Sequence, residues 1–232
     1  MSDLLCARAL TKKYGGVTAL DDFTLTLTGG KIVGLLGPNG SGKTTLIKLA
    51  AGMLKPTRGE ILIEGEAPCA ATKAKVAYLP DHIFLDPRLT VGQTVAYFTD
   101  FFADFRPSLA LEMLTKLGLK ESDRVKSLSK GNKEKVCLIL TMSRNASLYL
   151  LDEPIAGVDP ATRDYIISTI IRNYNPASAV VISTHLIADI EAVLDEVIFI
   201  RAGKLLLQQE TDALRAETGK SVDEVFREVF KW

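Results

Sequence analysis

The chain has 232 residues, 47% of them hydrophobic, with 28 basic and 28 acidic side chains and no formal net charge. At this length a chain buries roughly 70% of its unfolded surface and needs no disulfide or metal staple, and one α/β core, or a core with a smaller appendage, is expected. Balanced charge without a polybasic block gives no basis for bulk attraction to nucleic acid or anionic lipid.

Cys6, Cys69 and Cys137 form no Cys-x-x-Cys pair, which argues against a disulfide framework and a zinc site. They read as small buried or half-buried hydrophobes of a reducing compartment. The first residues lack a signal peptide's basic region and long apolar stretch, and no uncharged apolar run approaches about 18 residues. Work across a membrane would therefore pass through another polypeptide.

In chain order, Leu4 to Leu10 and Phe23 to Leu27 alternate apolar and polar residues around Gly15-Gly16 and Gly29-Gly30. This predicts an antiparallel strand layer leading into the apolar strand Ile32 to Leu36. After the strand, Leu46, Ile47, Leu49, Ala50 and Met53 form the apolar face of a predicted helix. Short strands are predicted at Gly59 to Glu64 and at Lys75 to Leu79, the latter ending at Pro80. From Thr90 to Ala146 the pattern is helical, over Val91 to Phe105, Ser108 to Leu117 and Lys130 to Met142. Strands at Leu148 to Leu151, Ala179 to Ser183 and Glu196 to Ile200, separated by helical stretches, read as βαβ units around a parallel sheet. An edge strand at Gly203 to Gln209 and helices at Thr211 to Glu217 and Ser221 to Lys231 complete the chain. Internal repeats and low-complexity segments are absent from the sequence.

The segment Gly37 to Thr45 reads Gly-Pro-Asn-Gly-Ser-Gly-Lys-Thr-Thr, which satisfies Gly-x-x-x-x-Gly-Lys-[Ser/Thr] between a strand and a helix. That is a P-loop. Its glycines let backbone N–H groups turn toward a triphosphate, and the helix starting near Gly42 adds its positive dipole end. Pro38, Asn39, Gly40, Ser41, Gly42, Lys43, Thr44 and Thr45 are the expected nucleotide-binding residues, with Lys43 reaching the β- and γ-phosphates and Thr44 offering its hydroxyl to Mg²⁺. Leu148 to Asp152 then carries two carboxylates, Asp152 and Glu153, to the carboxyl end of a strand, where open α/β sheets place ligands. Asp152 suits Mg²⁺, and Glu153 suits a water attacking the γ-phosphate.

With these motifs in order, the chain resembles the ATP-binding subunits of the ABC transporter family over nearly its whole length. Tyr14, before Gly15-Gly16, matches the aromatic that stacks on adenine. Asp81, after Val76-Ala77-Tyr78-Leu79-Pro80, stands where the family usually has a glutamine that senses Mg²⁺ and faces the membrane partner. Leu128-Ser129-Lys130-Gly131-Asn132 occupies the place of the signature Leu-Ser-Gly-Gly-Gln, with Lys130 and Asn132 as departures. Asp159, after Ile155-Ala156-Gly157-Val158, matches a loop that communicates between subunits and is also placed to cap the helix beginning at Pro160. His185, after Val181-Ile182-Ser183-Thr184, matches the switch histidine that contacts the γ-phosphate. His82 reads as a loop residue.

The resemblance implies an α/β fold with a P-loop NTPase core, a mostly parallel sheet flanked by helices, carrying an antiparallel β layer and a helical insertion subdomain. It assigns residues 1–232 to a single domain, with 1–89 and 147–209 as the ATP-binding core and β subdomain, 90–146 as the helical signature subdomain and 210–232 as terminal helices. It further implies an Mg²⁺-dependent ATPase in which Glu153, His185 and Lys43 are catalytic and Thr44, Asp152 and Asp81 hold the metal. Ser129, Lys130, Gly131 and Asn132 would meet ATP bound to the opposite subunit of a head-to-tail dimer, most simply a homodimer. The partner is a separate transmembrane permease, the location the cytoplasmic face of a membrane as a peripheral subunit, and nucleic acid is not a ligand. The signature with Lys130 and Asn132, and Asp81 in place of the glutamine, both resemble a bacterial subgroup serving drug, peptide or bacteriocin-type exporters. The aromatic stretch Phe84, Leu85, Tyr97, Phe98, Phe101, Phe102 and Phe105 is expected to be mostly core, with one or two members exposed for docking. The alternative is a soluble mechanical or assembly ATPase. Such relatives usually bring tandem cassettes, a long coiled coil or a more standard signature, and none occurs here.

Overall fold

The computed structural model describes residues 3–230. A parallel sheet is made by β3 (Lys31–Leu36), β5 (Val76–Leu79), β6 (Leu148–Asp152), β7 (Ala179–Thr184) and β8 (Glu196–Arg201), closed by antiparallel β9 (Lys204–Glu210), in the order β5-β6-β7-β3-β8-β9. Its inner strands are continuous apolar runs because helices cover both faces. A second, antiparallel sheet, β2-β1-β4, comprises β1 (Asp3–Tyr14), β2 (Val17–Thr28) and β4 (Arg58–Ile63).

Parallel register decides where the strand ends fall. Leu36 pairs with Thr184, Asp152 with Ser183 and Leu79 with Leu151. The loops after β3, β5, β6 and β7 therefore emerge along one edge, and this edge collects the P-loop, Asp81, Asp152, Glu153 and His185.

The P-loop helix α1 (Lys43–Ala50) stops one turn before the expected Met53. Gly52 takes φ +65°, its N–H donates to the Leu49 carbonyl, and the Met53 N–H donates to Lys48. This left-handed cap satisfies the last carbonyls and turns Met53 outward, 59% exposed, rather than onto the apolar face. A short helix α2 (Ala70–Ala74), not expected from the pattern, begins at Cys69; that thiol is exposed, against expectation, whereas Cys6 and Cys137 are buried.

Between β5 and β6 lie α3 (Val91–Phe101), α4 (Pro107–Lys116) and α5 (Lys130–Met142). A reciprocal cap between Thr90 and Gln93 starts α3. It ends at Phe101, short of the predicted Phe105, because tertiary contacts claim the segment. Phe105 is buried and bridges to Arg144, and the Asp104 carboxylate takes a hydrogen bond of 2.5 Å from Arg144 Nε. The buried Arg144 guanidinium also donates to the carbonyls of Ala74 and Val76 and lies 3.9 Å from the centre of the Phe102 ring. This one side chain thus ties the helical segment to the start of β5.

Helix α6 (Pro160–Asn173) connects β6 to β7, and α7 (Thr211–Thr218) and α8 (Val222–Val229) end the described chain. Asp159 caps α6 through Thr162, as expected. The predicted extension of the last helix to Lys231 lies outside the described residues. Among the described residues, no helix is long and apolar enough to cross a membrane.

Candidate functional site

The loop from Gly37 to Gly42 can take its path only with glycine at two of its bends. Gly42 has φ +111° and a Cβ there would come within 2.6 Å of the Ala19 carbonyl oxygen, while a Cβ at Gly37 would come within 2.3 Å of the Ile200 carbonyl oxygen. The loop is therefore pressed between the start of β2 and the end of β8. No side chain caps α1, so its first N–H groups remain available to an anion.

Lys43 is buried with its Nζ donating to the carbonyls of Gly37 (2.7 Å) and Pro38 (3.3 Å). The same ammonium stands 3.4 Å from Oε1 of Glu153, and the other carboxylate oxygen of Glu153 lies 3.1 Å from Nδ1 of His185. Glu153 adopts φ +50°, a left-handed conformation costly for a side chain of this kind. It is held there by its own N–H, which donates to the Ser183 carbonyl at 3.0 Å.

Asp152 is fully buried at the end of β6. Ser183 Oγ (2.6 Å) and Thr44 Oγ1 (3.1 Å) both donate to its Oδ1, while Oδ2 is shielded from solvent and unpartnered. Burial pushes its carboxyl above the ordinary value, against the opposing pull of those two hydroxyls, and the nearby Asp81 and Glu153 charges add to the rise. A buried carboxylate with a free oxygen beside a threonine hydroxyl is a donor set for a small hard cation. Among the described residues there is no cluster of three or more histidine, cysteine or acidic side chains that could hold a metal.

The structure thus gathers Lys43, Thr44, Asp152, Glu153 and His185. Asp81 lines a small crevice with Glu153 and Glu134, but its Oδ1 faces His82 Nδ1 at 3.0 Å rather than Thr44. Tyr14, 45% exposed, ends β1 with Lys12 Nζ 5.2 Å from its ring centre. The four signature residues stand apart at the start of α5. Ser129 Oγ accepts from the Asn132 N–H, and Lys130 Nζ is 3.7 Å from Glu134. Sequence reasoning passed over Ser183, which orients both Asp152 and the Glu153 backbone; a hydroxyl inside an otherwise apolar buried strand was its signal.

Of the aromatic stretch, Leu85 and Phe105 are buried, as expected of core residues. Tyr97 and Phe101 are 58% and 67% exposed and stack with ring centres 6.0 Å apart. Phe84, Phe98 and Phe102, with Met53 and Tyr78, line an apolar groove of about 350 Å³ beside the site.

A phosphate-cradling loop, a buried lysine, and a carboxylate pair at the carboxyl edge of a parallel sheet define a P-loop ATPase. The sequence profile of one such group, described as ABC transporter, matches residues 20–156. The chain belongs to the ABC transporter family, as an ATP-binding and ATP-hydrolysing subunit. It is similar to the SkfA peptide export ATP-binding protein SkfE of Bacillus subtilis (strain 168), 32% identical over 209 residues that cover 88% of this chain and 87% of that one. The lantibiotic transport ATP-binding protein SrtF of Streptococcus pyogenes is 29% identical over 211 residues, 90% of this chain and 92% of its own. Among solved structures, an ATP-binding subunit of an ABC transporter superposes with TM-score 0.87 at 27% identity, covering 98% of this chain and all of its own, 100%.

Proposed function

We propose that this chain energises a membrane exporter for peptide-like cargo by binding and hydrolysing ATP at the edge formed by β3, β6 and β7. The observation that carries the reading is the convergence of Lys43 and His185, from sequence-distant loops, on the two oxygens of Glu153 at 3.4 and 3.1 Å. Relatives named for peptide export and lantibiotic transport support the cargo class.

In this reading the free N–H groups of the P-loop and Lys43 hold the phosphates, and Tyr14 receives the adenine. Glu153 orients and polarises the attacking water, and His185 contacts the γ-phosphate, so that the residues act by positioning and by charge. Thr44 and Asp152, with Asp81 at the rim, would hold Mg²⁺, which when bound neutralises phosphate charge. Ser129, Lys130, Gly131 and Asn132 meet ATP held by a second copy of the chain, and Asp159 lies at that seam. The groove lined by Phe84, Phe98 and Phe102 and the exposed Tyr97–Phe101 pair receive a segment of a separate transmembrane permease on the cytoplasmic side of the membrane.

The test is affinity purification of the chain from detergent-solubilised membranes of its native cell. A multi-span hydrophobic protein in stoichiometric amount is the expected result. Recovery in the soluble fraction with ribosomes or DNA-processing factors would instead support a mechanical ATPase.

A further inference from the structure

Strand pairing places Tyr78 on the same side of the sheet as Asp152. Tyr78 pairs with Leu150 in the parallel register of β5 and β6, and residues two apart in a strand share a face. Tyr78, Leu150 and Asp152 therefore face one way, and Ser183, paired with Asp152, continues the row. This is the face covered by α1: Leu46, Ile47, Leu150 and Val181 form one apolar cluster with Tyr78 packed against it.

On this face two polar atoms are withdrawn from solvent with no hydrogen-bond partner, the phenol oxygen of Tyr78 and Oδ2 of Asp152. One can donate and the other can only accept. A buried polar group left without a partner costs about 1–3 kcal/mol, so each of these two atoms calls for a partner that water or an ion can supply. Burial first, then the charges of Asp152 and Asp81, push the phenol well above its ordinary value, so it stays an O–H donor at any physiological pH. Around it, Met53, Val76, Ala77 and Phe84 give the groove an apolar wall, while its Thr141 hydroxyl donates to the Cys137 carbonyl and His82 pairs with Asp81.

We propose that Tyr78 is a positioning residue for the divalent cation that accompanies ATP: its O–H donates to a water held against Oδ2 of Asp152, which fixes the carboxylate and one water of the ion's hydration shell. The inference rests on the reading that Thr44 and Asp152 hold that ion. Such outer-shell partners orient ligands by hydrogen bonding, and a bridging water is nearly as effective as a direct bond.

The experiment uses Tyr78→Phe, which keeps the ring and removes the oxygen, with Mn²⁺ as the probe. Free Mn²⁺ is read by electron paramagnetic resonance during titration of the purified chain saturated with a non-hydrolysable ATP analogue. The expected result is an approximately tenfold weaker Mn²⁺ affinity, the low end for loss of an outer-shell partner, with analogue affinity in EDTA unchanged. A lowered melting temperature with an unaltered Mn²⁺ titration would reduce Tyr78 to packing and overturn the proposal. If the unmodified chain took up no Mn²⁺ with the analogue, the metal-site reading itself would fall; if it did and the Phe variant matched it, only the role of Tyr78 would.

Discussion

Glu153 and His185, from the ends of neighbouring strands β6 and β7, meet with Oε2 3.1 Å from Nδ1, while the second oxygen of Glu153 reaches to 3.4 Å from Lys43. The carboxylate thus bridges two groups that a γ-phosphate would also engage. Glu153 is presented by a left-handed backbone at the very end of a strand, the kind of local strain that functional sites retain.

Glu153→Gln should lower ATP turnover by about two orders of magnitude or more, the effect of losing a positioned base. ATP affinity should be undiminished, because the amide no longer competes with phosphate for Lys43. Steady-state hydrolysis together with calorimetric binding checks both halves; near-normal turnover would remove Glu153 from the catalytic role.

Lys43→Ala should act on binding itself. The ammonium is buried among the Gly37 and Pro38 carbonyls, so its loss removes a charge-assisted contact worth about 1.5–3 kcal/mol, or at least about tenfold in ATP affinity. Unchanged affinity by calorimetry would contradict the P-loop assignment.

Asp152→Asn should stabilise the nucleotide-free protein at neutral pH. Burial raises the folded-state pKa of this carboxyl above its unfolded value, so the native state binds the proton more tightly. Stability from this group is therefore present below the unfolded pKa and is lost as pH rises through the folded one. Above the folded-state pKa the wild-type chain carries the full penalty of burying this charge and the Asn variant does not. A rise in melting temperature of about 3 °C is expected, the shift that about 1 kcal/mol produces in a chain of this size. The gap should close on acidification, and calorimetry between pH 4 and 8 reads it. Saturating Mg²⁺ and ATP should stabilise the wild type more than the variant.

Arg144→Ala should be the most damaging of these changes to the fold. It strands Asp104 and removes donors from Ala74 and Val76 together with the Phe102 ring contact. Removing one partner of a buried ion pair costs about 3–5 kcal/mol. Urea denaturation should show that loss, and a change under about 1 kcal/mol would mean that Arg144 does not tie the helical segment to β5.

Individual elements show what could be read before folding. The P-loop was legible because its chemistry is contiguous: glycines, lysine and threonine act within one turn of backbone. Asp152, Glu153 and His185 were legible because each ends an apolar run of strand length. Met53 was misplaced because period 3.6 continues through a position where the Gly52 cap has already turned the chain. Phe102 to Phe105 read as helix because local propensity does not register the pull of Arg144 on Asp104. Cys69 read as buried or half-buried because composition does not distinguish a core thiol from one at the start of a short exposed helix.

The sequence by itself determined the strand and helix periods, the phosphate loop and the chemical kinds of group available, since these depend on residues a few positions apart. Tertiary structure alone decided that Glu153 would lie between Lys43 and His185, that Ser183 and Thr44 would both serve one oxygen of Asp152, and that Tyr78 would share their face. Those meetings follow from parallel strand register and close packing across more than a hundred residues of chain between Thr44 and Asp152. Such long-range contacts form only when loop-closure entropy is overcome by burial of the whole core.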